Sequence, residues 1–145
     1  MELESLYSAA KHGQLDFIKE LHESGIDCTD AMTDASAYGH LDLVKYLHNI
    51  APDYSYKDAM TYAATDGHLE VVKYLHEIGK DCTIYALPLA AMNGHLEVVK
   101  YLHKIGKECT KHSIIWAVMN GHLKVVKYLH EICEEYKNTV ILDSF

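Results

Sequence analysis

Eleven histidines and four cysteines in 145 residues are the side chains whose chemistry has to be weighed first. Both types ligate zinc, and a cysteine beside a histidine can act as a nucleophile. Their spacing argues against both uses. His40, His68, His95 and His122 each follow a glycine, and His22, His48, His76, His103 and His130 each stand nine residues beyond one. A row that advances one histidine per helix pair separates neighbours by about 8–10 Å. Two ligands of one zinc must each come within about 2.1 Å of it, which parallel side chains in such a row do not achieve. No Cys-x-x-Cys or His-x-x-x-His pair occurs. Cys28, Cys82 and Cys109 recur at equivalent places, as small buried hydrophobes do, whereas a nucleophile is unique and has an orienting group. There is no phosphate-binding glycine loop and no GxSxG, HExxH or paired-carboxylate word. No catalysis, no metal and no cofactor are expected.

The element that positions these residues is a repeat. GHLDLVKYLHNI, GHLEVVKYLHEIGKDCT, GHLEVVKYLHKIGKECT and GHLKVVKYLHEI begin at Gly39, Gly67, Gly94 and Gly121, and a diverged GQLDFIKELHESGIDCT begins at Gly13. Five copies at a period of about 27 residues define one supersecondary unit repeated in register. The units cover about 3–28, 29–54, 55–82, 83–109 and 110–135, with a tail at 136–145.

Each unit reads as two helices. In the third copy the second helix spans about Leu69 to Ile78, with Leu69, Val72, Leu75 and Ile78 on one face. Gly79 suits a left-handed C-cap, as do Gly25 and Gly106, whereas Ala51 and Cys133 take its place elsewhere. In the fourth copy the first helix spans about Tyr85 to Met92. Thr83 is its expected N-cap, with Thr29, Ser55 and Thr110 in other copies. Ala9, Ala35, Ala63, Ala90 and Ala117, four before the glycine, let helices approach closely, and Leu6, Met32, Met60, Leu87 and Ile114 complete the core. A pair this short cannot bury its own apolar face, so the fold class is an all-α solenoid of stacked helix–turn–helix units in one domain. The tyrosine row Tyr46, Tyr74, Tyr101 and Tyr128 is expected to pack between units. Gln14, Glu20 and Lys11 suit a solvent-facing first unit. The last is expected to extend through Glu134, Glu135 and Lys137 into a covering tail.

A net charge of −8 with evenly spread lysines argues against nucleic acid and anionic membrane as partners. The apolar runs are far short of the roughly 20 residues that span a bilayer. No basic-then-apolar leader opens the chain, so a cytoplasmic location with reduced thiols is expected. No disulfide is expected, because one repeat separates Cys82 from Cys109. Acid is expected to weaken the array by protonating the histidine rows.

The stretch NGHLEVVKYLHEIGKDCT, with Ala63-Ala64 before Gly67 and Ala90-Ala91 before Gly94, resembles the ankyrin-repeat family along almost the whole chain. The family's period is about 33 residues. The residues missing here fall between Thr83 and the first helix, where the family places its β-hairpin finger. The resemblance therefore implies an ankyrin-like solenoid with fingers shortened or absent. Short units of this kind resemble those in proteins of protists and of large DNA viruses that infect amoebae, which would put a viral chain in the host cytoplasm. The resemblance also implies a protein–protein interaction module whose concave face is built from the first helices. An alternative is an adaptor that recruits a target to a ubiquitin ligase or another complex. Side chains on that face vary while the scaffold is copied. On this ground Asp34, Tyr38, Tyr62, Thr65, Asp66, Leu89, Met92, Trp116 and Met119 are the expected partner-binding residues of a monomer or weak homodimer. Tyr62, Leu89, Met92, Trp116 and Met119 are expected to form an apolar ridge.

Overall fold

A computed structural model describes residues 2–133. Those residues form ten helices and no strand. The helices come in five pairs: α1 (Glu2–Lys11) with α2 (Leu15–Glu23), α3 (Ala31–Ala37) with α4 (Leu41–Ile50), α5 (Lys57–Thr65) with α6 (Leu69–Glu77), α7 (Ala86–Met92) with α8 (Leu96–Lys104), and α9 (Lys111–Met119) with α10 (Leu123–Ile132). The first helices touch in chain order, α1 to α3 to α5 to α7 to α9. The second helices α4, α6, α8 and α10 do the same behind them. The chain is therefore a helical repeat solenoid of two layers.

The tight first-helix layer follows from its alanines. Ala9, Ala35, Ala63, Ala90 and Ala117 are all 0% exposed. Larger side chains there would hold the helices apart. Between the layers lie Met32, Met60, Leu87, Leu47, Leu75, Leu102 and Leu129, each fully buried. Each of these side chains contributes about 1.5–3 kcal/mol by leaving water. The core is one continuous strip, so no pair is stable apart from its neighbours.

The turn inside each pair is a left-handed glycine. In the third, Gly67 has φ +81, and the amide of His68 donates to the Ala63 carbonyl at 2.8 Å. The residue after the glycine starts the second helix but does not cap it with its side chain. Its imidazole reaches back instead. His40 Nε2 lies 2.7 Å from the Lys11 carbonyl of the preceding unit, and the His68, His95 and His122 rings pack against Gly39, Gly67 and Gly94 of theirs. This histidine row is a staple between units.

The second row pairs with the tyrosines. His22 Nδ1 is 2.9 Å from the Tyr46 hydroxyl and His103 Nδ1 is 3.1 Å from that of Tyr128. His76 meets Tyr101 edge-on. Lys19, Lys45, Lys73 and Lys100 each sit 5.5–6.0 Å from the centre of the next unit's tyrosine ring. Each position thus contributes an apolar ring to packing and a π-face to a cation, and Tyr46 and Tyr128 add a hydroxyl to a hydrogen bond.

Three expectations change. Thr29, Ser55 and Thr83 are not the N-cap residues, because α3, α5 and α7 begin after Asp30, Tyr56 and Tyr85. Thr83 still accepts one cap-type bond, from the Tyr85 amide at 3.3 Å, and it also bonds sideways: its hydroxyl lies 2.9 Å from that of Thr61 on α5, and its amide donates to the same Thr61 oxygen. Thr110 does hold the cap position of α9, in extended backbone, without a side-chain cap bond. The second helix of the third copy ends at Glu77, one residue early.

The absence of a disulfide is overturned. Cys109 and Cys133 are bonded, with Cα atoms 6.5 Å apart. Cys133 stands where Gly25, Gly79 and Gly106 follow the other second helices. α10 stops before it, and its side chain reaches the cysteine ladder of the preceding unit. Cys28 and Cys82 remain thiols, buried and shifted upward in pKa by that burial. Intact mass measured without reductant should be about 2 Da below the reduced mass, the signature of one bridge. Equal masses would show four thiols. The expected covering tail, beyond residue 133, lies outside the described residues.

Candidate interaction face

The exposed surface of the first helices carries the residues that differ between units. On α3, Asp34 is half-buried, and Tyr38 just beyond it is 42% exposed. On α5, Tyr62 is 50% exposed, Thr65 is half-buried and Asp66 is exposed. On α7, Leu89 and Met92 are half-buried; on α9, Trp116 is half-buried and Met119 is 76% exposed. None of the nine residues is buried. Tyr62, Leu89 and Trp116 hold one register position on three adjacent helices, and Met92 and Met119 hold another on two.

They are not equal in what they do. Thr65 is tied into the scaffold: its hydroxyl donates to the Thr61 carbonyl, and its own carbonyl accepts from Asn93 Nδ2 at 2.9 Å. Tyr38 lies under Lys11 Nζ, 5.6 Å from its ring centre. Burial pushes the Asp34 carboxyl upward in pKa. Met119 is exposed where its counterpart Met92 is half-buried.

Sequence pattern missed an adjoining groove. A cavity of about 410 Å³ lies between the loop entering α7 and the loop entering α9. Leu87 and Pro88, both buried, line its base, and Ile84, Tyr85, His112 and Trp116 stand around it. Ile84 is 80% exposed and Tyr85 57%. The His112 and Trp116 rings lie 5.6 Å apart. At the rim Lys107 pairs with Asp81, which holds that carboxyl below its usual range and the ammonium above its own. A signal existed: the places of Ile84 and Tyr85 hold Thr29 and Asp30, Lys57 and Asp58, and Lys111 and His112 in other units.

Among the described residues no group of three or more His, Cys, Asp or Glu is arranged to hold a metal. Among the described residues no helix is long and apolar enough to cross a membrane. His95 carries the resolved acid effect of its row. Burial lowers its pKa from 6.5 and the neighbouring His68 and His122 add to this, against Asp66 and the Thr65 carbonyl. A lowered folded value means that His95 stabilises the fold above pH 6.5 and loses that contribution as pH falls through the folded value. Stability measured between about pH 7.5 and 5.5, a range that brackets histidine's ordinary value, should fall, and His95→Gln should lessen the fall. An unchanged fall in the variant would assign the effect elsewhere.

A family model described as ankyrin repeats (3 copies) matches residues 6–86 and 76–141. No match was found among curated proteins.

Proposed function

The chain belongs to the ankyrin-repeat family, whose repeats are generally protein–protein interaction modules, and from that premise we propose that it binds a partner protein on the face of α3, α5, α7 and α9. One observation carries the reading: residues that vary sit on one face of units that are otherwise copied, and that face keeps Tyr62, Leu89, Met92, Trp116 and Met119 out of the core. Aromatic and methionine side chains are enriched at interface centres, and Trp and Tyr among hot spots. The role is non-catalytic and the chain is one repeat domain. Asp34, Tyr38 and Asp66 extend the surface toward the first unit.

The test is capture from extract of the source cells with the intact protein, Tyr62→Ala and Trp116→Ala, read by quantitative mass spectrometry beside a folding measurement. A contact residue loses one set of captured proteins, corresponding to more than about 2 kcal/mol, while stability hardly moves. An unchanged captured set removes the face from consideration. If both variants unfold, the ridge is core and the assignment is wrong. The adaptor reading adds a second surface, and ligase subunits retained by both variants would favour it.

A further inference from the structure

The face changes character along the stack. α3 and α5 with their flanking residues carry Asp30, Asp34, Asp58 and Asp66 against Lys57 as the one cation. None of the four carboxylates is in an ion pair among the described residues. α7 carries no charge at all. Beside it opens the apolar groove of Ile84, Tyr85 and Trp116, with Ile84 four-fifths in water.

We propose that this groove and the acidic surface of α3 and α5 bind a single extended peptide. An aromatic or branched aliphatic side chain seats between Ile84, Tyr85 and Trp116, and Lys or Arg side chains further along meet Asp34, Asp58 and Asp66. The inference rests on the reading that the first-helix face is the binding face. Neighbouring helices lie about 8–10 Å apart, so α5 lies about 8–10 Å from α7 beside the groove, and α3 with Asp34 about 16–20 Å from it. At about 3.3 Å per residue an extended chain covers the longer distance in about five or six residues. A cation also relieves what the fold leaves uncompensated, since Asp34 is half-buried with no positive partner. Charge argues against a second copy as occupant: each chain carries −8, and apposed acidic faces repel.

The probe is a phage library of random 16-residue peptides selected on the purified full chain. Enriched peptides are then titrated by the emission of Trp116, the chain's one tryptophan. The expected winners carry an apolar anchor and, about five or six residues from it, Lys or Arg. Ile84→Asp should weaken them more than about tenfold, as burying an unpaired charge in an apolar seat does. Asp34→Asn, Asp58→Asn and Asp66→Asn together should also weaken them about tenfold and flatten the salt dependence. All four positions lie outside the core, so these variants fold. Winners without basic residues, or indifferent to the three asparagines, overturn this inference and leave the face reading standing. Winners that bind equally to every variant overturn both. No enrichment over an unrelated protein overturns the peptide inference. A dimer in sedimentation that Ile84→Asp dissociates gives the groove to a second copy and overturns it too.

Discussion

Tyr56→Ala is expected to lower stability by about 4–5 kcal/mol, most of a small domain's total. The ring is 3% exposed at the junction of the second and third pairs. That junction lacks the glycine that follows α2, α6 and α8; Ala51 takes its place, with φ −144. Residues 51–55 are held by the tyrosine instead. Its hydroxyl donates to the Ala51 carbonyl at 2.9 Å, and His48 Nδ1 lies 2.9 Å from that hydroxyl oxygen. Tyr54 packs edge-on at 6.0 Å, and Lys80 Nζ sits 4.4 Å from the ring centre while donating to the Pro52 carbonyl. Alanine removes the ring volume and strands the groups that met it. Tyr56→Phe keeps the volume and should cost about 1–2 kcal/mol, the cost of unpaired buried partners. Burial, with Tyr74 and Asp53 adding, pushes the phenol up to about 12. Its contribution is therefore present below pH 10.0 and lost as pH rises toward about 12. Urea unfolding followed by far-ultraviolet circular dichroism measures both variants. A loss below about 1 kcal/mol for alanine would mean the ring is not part of the core.

Tyr56 also marks where sequence reading ran out. Its neighbours Pro52, Asp53, Ser55 and Lys57 are polar or turn-forming, so a buried aromatic among them gave no periodic signal. The helix pairs were legible because the glycine and the doublets Ala63-Ala64 and Ala90-Ala91 recur at one spacing, and a solenoid turns spacing directly into stacking. The burial of Val72 and Leu75 followed from helical period alone. Caps were misread because Thr29, Ser55 and Thr83 match the cap residue type, and only three dimensions show Thr83 bonded to Thr61. The bridge was missed because Cys82 and Cys109 were compared. The bonding pair turns on Cys133 replacing a glycine at a helix end, which aims a thiol back at Cys109 in the ladder of the preceding unit. Of the candidate face, register positions were legible and exposure was not. Tyr62 and Trp116 occupy equivalent places, yet Trp116 leans on His112 and is half-buried while Tyr62 stands half in water. Ile84 and Tyr85 needed a comparison of loop positions that helical periodicity does not prompt.

Two glycines with nearly the same backbone angle should respond very differently to alanine. Gly67 has φ +81 and Gly79 has φ +84, so either substitution carries a left-handed strain of about 1–2 kcal/mol. A side-chain carbon at Gly79 meets nothing within 4 Å. At Gly67 it would collide with the His95 ring, falling 2.7 Å from Cε1 and closer still to Nδ1. That ring is half-buried against the preceding unit, so it cannot turn aside without repacking its neighbours. Gly67→Ala should then cost about 2–5 kcal/mol, the strain plus about 1–3 kcal/mol for overpacking against the ring. Gly79→Ala should stop at the strain. The same contact recurs at Gly13, Gly39 and Gly94 with His40, His68 and His122, so the glycine–histidine step is the repeating joint of the stack. His95→Ala placed in the Gly67→Ala background removes the collision, and the double variant should be less destabilised than the two single losses added. Chemical unfolding of the four proteins gives the coupling. Equal losses for Gly67→Ala and Gly79→Ala, with no coupling to His95, would show that the ring does not close this joint and that the glycines are kept only for their backbone angle.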